Sequence, residues 1–145
     1  MSPARQRGGS AVLLLGIMAC QQAAPVATAT AGDLRITRAF AYEPIIQASG
    51  AAYFTVKNTG AVPDTLLGVS SPASVGAMLH GGSMAHLSVI EIPAGGTLVL
   101  KSGDTHVMLS DFITMPHAGD SLPLTLQFAH AGRVDLKLPV RKYGE

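Results

Sequence analysis

Short runs of alternating apolar and polar residues, separated by glycine and proline turns, fill this chain from Leu34 onward. Successive side chains of a β-strand point to opposite faces, so a period of two predicts half-buried strands. About nine such runs occur, at the spacing of an all-β sandwich or Greek-key barrel. They cover residues 34–40, 51–57, 65–70, 75–80, 84–92, 97–101, 106–109, 122–128 and 133–140. No stretch has a helical period, and the pattern predicts one all-β domain at 34–145.

Length and charge narrow the class of protein further. The chain has 145 residues, enough for one domain with a sizeable core. Charged residues make up 13% of it, about half the usual share of roughly 25%. The net charge is only +1, so the composition predicts no nucleic-acid partner.

The first 33 residues have the character of an export signal followed by a linker. Arg5 and Arg7 precede a short apolar run at 11–19, and a membrane-spanning helix would need about 20 apolar residues. The run ends at Cys20 and is similar to a bacterial lipoprotein signal. We predict a signal peptide at 1–19, lipid on Cys20, a flexible tether at 20–33 and a place in the periplasm or cell envelope, anchored in the membrane by lipid. The alternative is an ordinary secretory signal with an incidental cysteine.

Methionine and histidine are concentrated in one part of the domain. Past residue 20 there are four Met and five His, and eight of these nine lie between Met78 and His117. In order they are Met78, His80, Met84, His86, His106, Met108, Met115 and His117. Thioether sulfur and imidazole nitrogen together suit Cu(I), and the only cysteine is in the leader. The cluster therefore indicates copper handling outside the cytoplasm.

The spacing predicts which of these side chains share a face. Residues i and i+2 of a strand point the same way, so His106 and Met108 can offer nitrogen and sulfur to one ion. A hairpin at 81–83 would bring His80 close to Met84, which by the same rule shares a face with His86. Each methionine considered alone could equally be core packing, and His86 and His117 could be surface residues.

The domain resembles the PCuAC family of periplasmic copper chaperones from about Leu34 to Val140. The segments that carry the resemblance are GAAYFTVKNTG at 50–60, Ser71-Pro72, EIPAGG at 91–96, HVML at 106–109 and GDSLPLTLQF at 119–128. The resemblance implies a cupredoxin-like fold. It also implies a motif in which a His is followed after about ten residues by a Met, and after 21 more by His-x-Met.

The motif implies the ligands His80, Met84, His106 and Met108. Met84 stands 21 residues before His106, as the motif requires, but only three residues separate His80 from Met84. An alignment that places the shortening between Leu87 and Glu91 would instead put His86 at the methionine position. Met84 is the preferred fourth ligand because a thioether retains Cu(I), whereas His86 would favour Cu(II).

The resemblance implies a carrier and no enzyme. Such a domain binds Cu(I) and delivers it to a copper-accepting protein, either the CuA subunit of cytochrome c oxidase or a thiol-bearing assembly factor. The alternatives are a structural or adhesive β-sandwich lipoprotein and a Cu(II) or zinc buffer. A blue-copper electron carrier would need a cysteine in the site, and no Gly-x-Ser-x-Gly elbow supports a hydrolase.

Overall fold

A computed structural model describes residues 23–145, and the predicted signal peptide and Cys20 lie outside this range. Within it the chain forms eleven β-strands and no helix, so none of the described segments is a helix that could cross a membrane. The strands are β1 (Ala27–Ala31), β2 (Leu34–Tyr42), β3 (Ser49–Asn58), β4 (Asp64–Ser70), β5 (Ser74–His80), β6 (His86–Leu87), β7 (Ile90–Ile92), β8 (Thr97–Val99), β9 (His106–Phe112), β10 (Ser121–Phe128) and β11 (Arg133–Arg141). The predicted all-β class is confirmed.

The strands form two layers that are joined through β11. The first layer has the order β6-β5-β9-β3-β2, with β1 also paired to β2 and β8 to β3. The second has the order β11-β10-β4-β7. Every pair is antiparallel except β11 with β2, where Val140 and Arg141 lie opposite Ala41 and Tyr42. The sheet thus folds over on itself into a nearly closed barrel.

Apolar side chains from both layers meet in one core. Buried residues come from β2, β3, β5 and β9 on one side and from β4, β10 and β11 on the other. Asp64, only 5% exposed, closes one end of the sandwich by accepting backbone N–H bonds from Thr65, His130 and Ala131. Burial raises the pKa of this carboxyl, but the three hydrogen bonds outweigh it and the net shift is downward.

Part of the predicted tether is a strand. Ala27–Ala31 pairs with β2 through a tight turn in which Gly32 has a φ of 54°. Arg141, buried at 8% exposure, holds the residues just before this strand. Its guanidinium donates hydrogen bonds to the carbonyls of Pro25 and Ala24 and stacks 3.8 Å from the Phe40 ring centre. The folded domain therefore begins earlier than Leu34.

The predicted strand at 84–92 is divided between the two layers. His86–Leu87 pairs with β5 as β6, whereas Ile90–Ile92 pairs with β4 as β7. The chain crosses from one layer to the other between these short strands. Residues 81–85 form the turn between β5 and β6, and so Met84 is outside any strand.

A β-bulge in β2 changes which side chains face outward. The register with β3 shifts between Thr37 and Phe40, and Arg38 has a φ of 55°. Leu34 and Ile36 are buried before the bulge, and Ala39 and Ala41 are buried after it. The extra residue therefore moves Phe40, which the alternation had placed on the same face as Ile36, to the outer face.

Candidate metal centre

Two cross-strand pairs of donors lie on neighbouring strands of the first layer. In the β5–β9 register His80 is directly opposite His106, and Met78 is directly opposite Met108. The residues between them, Leu79 and Val107, are buried in the core. Because side chains alternate along a strand, all four donors lie on the outer face. His106 and Met108 share a face as the sequence predicts.

The backbone fixes the orientation of the His106 ring. Its Nδ1 lies 2.7 Å from the carbonyl oxygen of Asp104. A carbonyl only accepts hydrogen bonds, so Nδ1 carries the proton and the neutral ring has its lone pair on Nε2. Metal-binding histidines are commonly held in this way by a carbonyl partner. His106 is therefore positioned to bind a metal through Nε2.

His80 has a ring nitrogen that no protein group satisfies. Its Nδ1 is buried and lacks a hydrogen-bond partner, which is costly for a polar atom. The centres of the His80 and His106 rings are 5.7 Å apart and the rings meet edge to face. Imidazole binds metals at roughly 2 Å from nitrogen, so rings at this separation can both reach one ion.

Met84 lies in the turn after β5, in an unusual backbone conformation. Its φ is 62°, and its N–H donates to the carbonyl of Gly81. Met84 is 56% exposed and lines the same surface groove as Met108. The prediction that it shares a strand face with His86 is wrong, because the turn continues through Ala85. The prediction that the hairpin brings His80 close to Met84 stays a prediction, and the groove places Met84 with Met108.

His86 lies beside His80, on the side away from Met108. In β6 it is directly opposite His80, so His86, His80 and His106 form a row across three strands. β6 is the edge of the layer, and β5 separates it from β9. His86 is exposed and belongs to the same face as the other donors without lining the groove.

The remaining methionine and histidines are outside this constellation. Met115 packs against the core. The His117 ring lies 2.9 Å from a carboxylate oxygen of Glu43, just past the end of β2 and three strands from β5. The backbone of His130 binds Asp64 in the second layer. The alternative interpretations of Met115 as core packing and of His117 as a surface residue fit these positions.

An aromatic groove next to the donors is not apparent from the sequence. It has a volume of about 480 Å³, and Tyr42, Tyr53 and Tyr143 line it together with Met84 and Met108. Burial is the main cause that raises the pKa of the Tyr53 hydroxyl. The bulge in β2 puts Tyr42 on this face, and sequence alternation gives no sign of a bulge. The groove makes the surroundings of the two sulfurs largely apolar.

The donors present suit a soft cation. Across residues 23–145 there is no group of three His, Cys, Asp or Glu side chains close enough to hold a metal ion. Two imidazoles with methionine sulfurs match the preference of Cu(I).

Solved structures that are similar to this fold include copper-bound proteins. The copper-bound PCuAC domain from PmoF2 aligns with a TM-score of 0.74 and 26% identity, covering 80% of this chain and 98% of that one. The Cu(I) form of DR1885 from Deinococcus radiodurans aligns with a TM-score of 0.64 and 28% identity, covering 74% and 77%. The fold is that of a PCuAC-type, cupredoxin-like domain, as predicted.

The sequence comparisons identify the family. The profile described as "Putative lipoprotein LpqE-like" matches residues 22–140. Putative lipoprotein Lxx21020 from Leifsonia xyli subsp. xyli (strain CTCB07) is 29% identical over 149 residues, covering 92% of this chain and 87% of the relative. The chain belongs to the LpqE-like family, and the predicted relationship to PCuAC proteins is confirmed.

Proposed function

We propose that this protein is an extracytoplasmic Cu(I) metallochaperone whose cargo is held by His80, Met84, His106 and Met108. The observation that carries the proposal is the His80–His106 pair, with ring centres 5.7 Å apart, on the same face of β9 as Met108. The similarity to the copper-bound PmoF2 domain and to Cu(I)-DR1885 supports copper as the metal. The family description as a lipoprotein supports a membrane-anchored location in the cell envelope, with Cys20 as the lipidated residue.

Met84 is the better fourth ligand for two reasons. It lines the groove that contains Met108, whereas His86 lies on the edge strand beyond His80. A left-handed backbone is unfavourable for a methionine, and such an outlier in a Gly-Gly-Ser-Met turn suggests that the side chain is retained for function.

A carrier must bind its cargo and also release it. His80, His106 and Met108 are half-buried and Met84 is exposed, so an incoming ligand can reach an ion held by them. Neutral imidazole and thioether need no thiol deprotonation and are compatible with an oxidising compartment. The recipient we infer is a copper-accepting protein, either the CuA subunit of cytochrome c oxidase or a thiol-bearing assembly factor, and no catalysis by this chain is required.

Copper titration of the chain without its leader tests the proposal. Cu(I) affinity is measured by competition with a chromophoric chelator under reductant, and Cu(II) and Zn²⁺ are titrated separately. Replacing His106 and Met108 together by Ala should abolish Cu(I) binding without unfolding the domain, because both side chains are on the outer face. His130→Ala is the matched control, since this residue lies in the other layer.

The fourth ligand is tested by comparing single variants. Met84→Ala should weaken Cu(I) binding by about 1–3 kcal/mol, the order expected for one lost donor, and His86→Ala should have a smaller effect. A larger effect from His86→Ala would assign that residue instead. Tighter binding of Cu(II) or Zn²⁺ than of Cu(I) would favour the buffer, and unchanged binding in all variants would leave a structural β-sandwich.

A further inference from the structure

Met78 lies in the donor constellation without belonging to the ligand set proposed above. The register that sets His80 opposite His106 also sets Met78 opposite Met108, two residues along each strand. Directly opposed residues of an antiparallel pair have Cα atoms about 4.5–5.5 Å apart, within reach of long side chains. Strand pairing alone therefore assembles two imidazoles and two thioethers in a rectangle on one face.

We propose that Met78 is a further copper ligand of this site, which rests on the proposed function of the protein as a Cu(I) carrier. Its sulfur supplies the second thioether of a set of two nitrogens and two sulfurs, together with His80, His106 and Met108. This set needs no residue from the shortened turn at 81–85. Only three residues separate His80 from Met84. The pairing of β5 with β9 nevertheless places two imidazoles and two thioethers on one face.

The burial of Met78 fits a ligand better than a core residue. Met78 is 36% exposed, whereas its neighbour Leu79 is 2% exposed and packs in the core. The next residue on the outer face is Gly76, which has no side chain, and the Ser110 hydroxyl occupies the space where its Cβ would be. Met78 is therefore outside the core, and its flexible side chain can adopt rotamers directed toward His80 and Met108.

Met78 and Met84 belong to different sides of β9. Met78 is on β5. Met84 lines the groove whose lining also includes Ala51 on β3. Met108, on β9 between them, is adjacent to both. An ion held by His80, His106 and Met108 then has a thioether available on either side. One thioether can be exchanged for a donor of the recipient while the other is retained, which suits a transfer step.

The experiment uses Met78→Leu, which keeps the apolar volume and removes the sulfur. Met115→Leu is the matched control, because Met115 packs against the core away from the donors. Cu(I) affinity is measured by chelator competition, and the number of sulfur atoms bound to copper by X-ray absorption at the copper edge. We expect Met78→Leu to lower the affinity roughly tenfold and to remove sulfur from the copper shell, with no effect from Met115→Leu.

The double variant Met78→Leu/Met84→Leu tests whether the two sulfurs replace each other. If they do, the loss of affinity in the double variant exceeds the product of the two single losses. An unchanged affinity and sulfur count in Met78→Leu, together with a double variant that binds Cu(I) as tightly as Met84→Leu alone, would overturn this proposal. In that case, abolished binding in the His106→Ala/Met108→Ala variant would leave the carrier function standing. Unchanged binding in that variant would overturn both.

Discussion

Met84 has an unfavourable backbone conformation and a proposed role in copper binding. Substitution by glycine relieves the backbone strain and removes the sulfur, so its effects on stability and on copper affinity can be measured separately. A φ of 62° costs an L-residue about 1–2 kcal/mol and costs glycine almost nothing. Glycine also loses more conformational entropy on folding, which offsets about 0.5–1 kcal/mol of this stabilisation. Met84 is 56% exposed, so little packing is lost with its side chain. Met84→Gly should therefore leave the free energy of unfolding of the apo domain unchanged or raise it by up to about 1 kcal/mol.

The comparison with alanine makes the expectation sharper. Met84→Ala removes the same sulfur but keeps a Cβ in the left-handed conformation, so it should be less stable than Met84→Gly by about 0.5–1 kcal/mol. Both variants should lose Cu(I) affinity equally. Ser83→Gly is the control, because Ser83 has an ordinary φ in the same turn and gains nothing from glycine.

Urea unfolding of the metal-free variants measures the stability difference, and chelator competition measures the copper affinity. A Met84→Gly domain less stable than Met84→Ala would refute the argument from backbone strain. Equal and unchanged copper affinity in both variants would refute the ligand role and leave the strain without a functional explanation.

Three other predictions concern the fold outside the donor face. Asp64→Ala should cost about 3 kcal/mol of stability, since it leaves three backbone N–H groups unpaired, and calorimetry would show no loss if those groups found other partners. The lowered pKa of Asp64 stabilises the fold above its unfolded pKa and this contribution is lost as pH falls through the folded value, so Asp64→Asn should flatten the acid limb of the stability–pH profile. Arg141→Met should expose the segment around Pro25 to protease, as mass spectrometry of limited digests would detect; an unchanged cleavage rate would refute the clamp.

The sequence predicts those parts of the structure that depend on local periodicity. His106 and Met108 share a face because a strand alternates regardless of its neighbours. The pairing of His80 with His106 joins residues far apart in the chain, and no local pattern specifies such a register. β1 was missed because its alanines and threonines lack the apolar bulk that marks a strand, and it forms by pairing with β2 through a tight turn.

Two local irregularities also escaped the pattern. The bulge at Arg38 inserts one residue into β2 and reverses the alternation beyond it, so Phe40 lies on the outer face. The turn that holds Met84 extends through Ala85 into the predicted strand, and the crossing between layers at 88–89 divides the remainder of that strand. Both features shape the groove beside the predicted donors, so the lining of this groove could not be predicted from the sequence pattern.

The position of the donors on the sheet separates metal binding from folding. Leu79, Val107 and Leu109 hold β5 and β9 in the core, while His80 and Met108 project from the opposite face of the same strands. Substitutions of the outward residues therefore change affinity at little cost to packing, whereas a truncated inward leucine leaves a cavity that costs about 2–5 kcal/mol. Because the core packs without these outward side chains, release of an ion from the proposed site would remove no core contact. In the proposed site, the strand register alone places two imidazoles and two thioethers on one face, so this set does not depend on the length of the turn after β5.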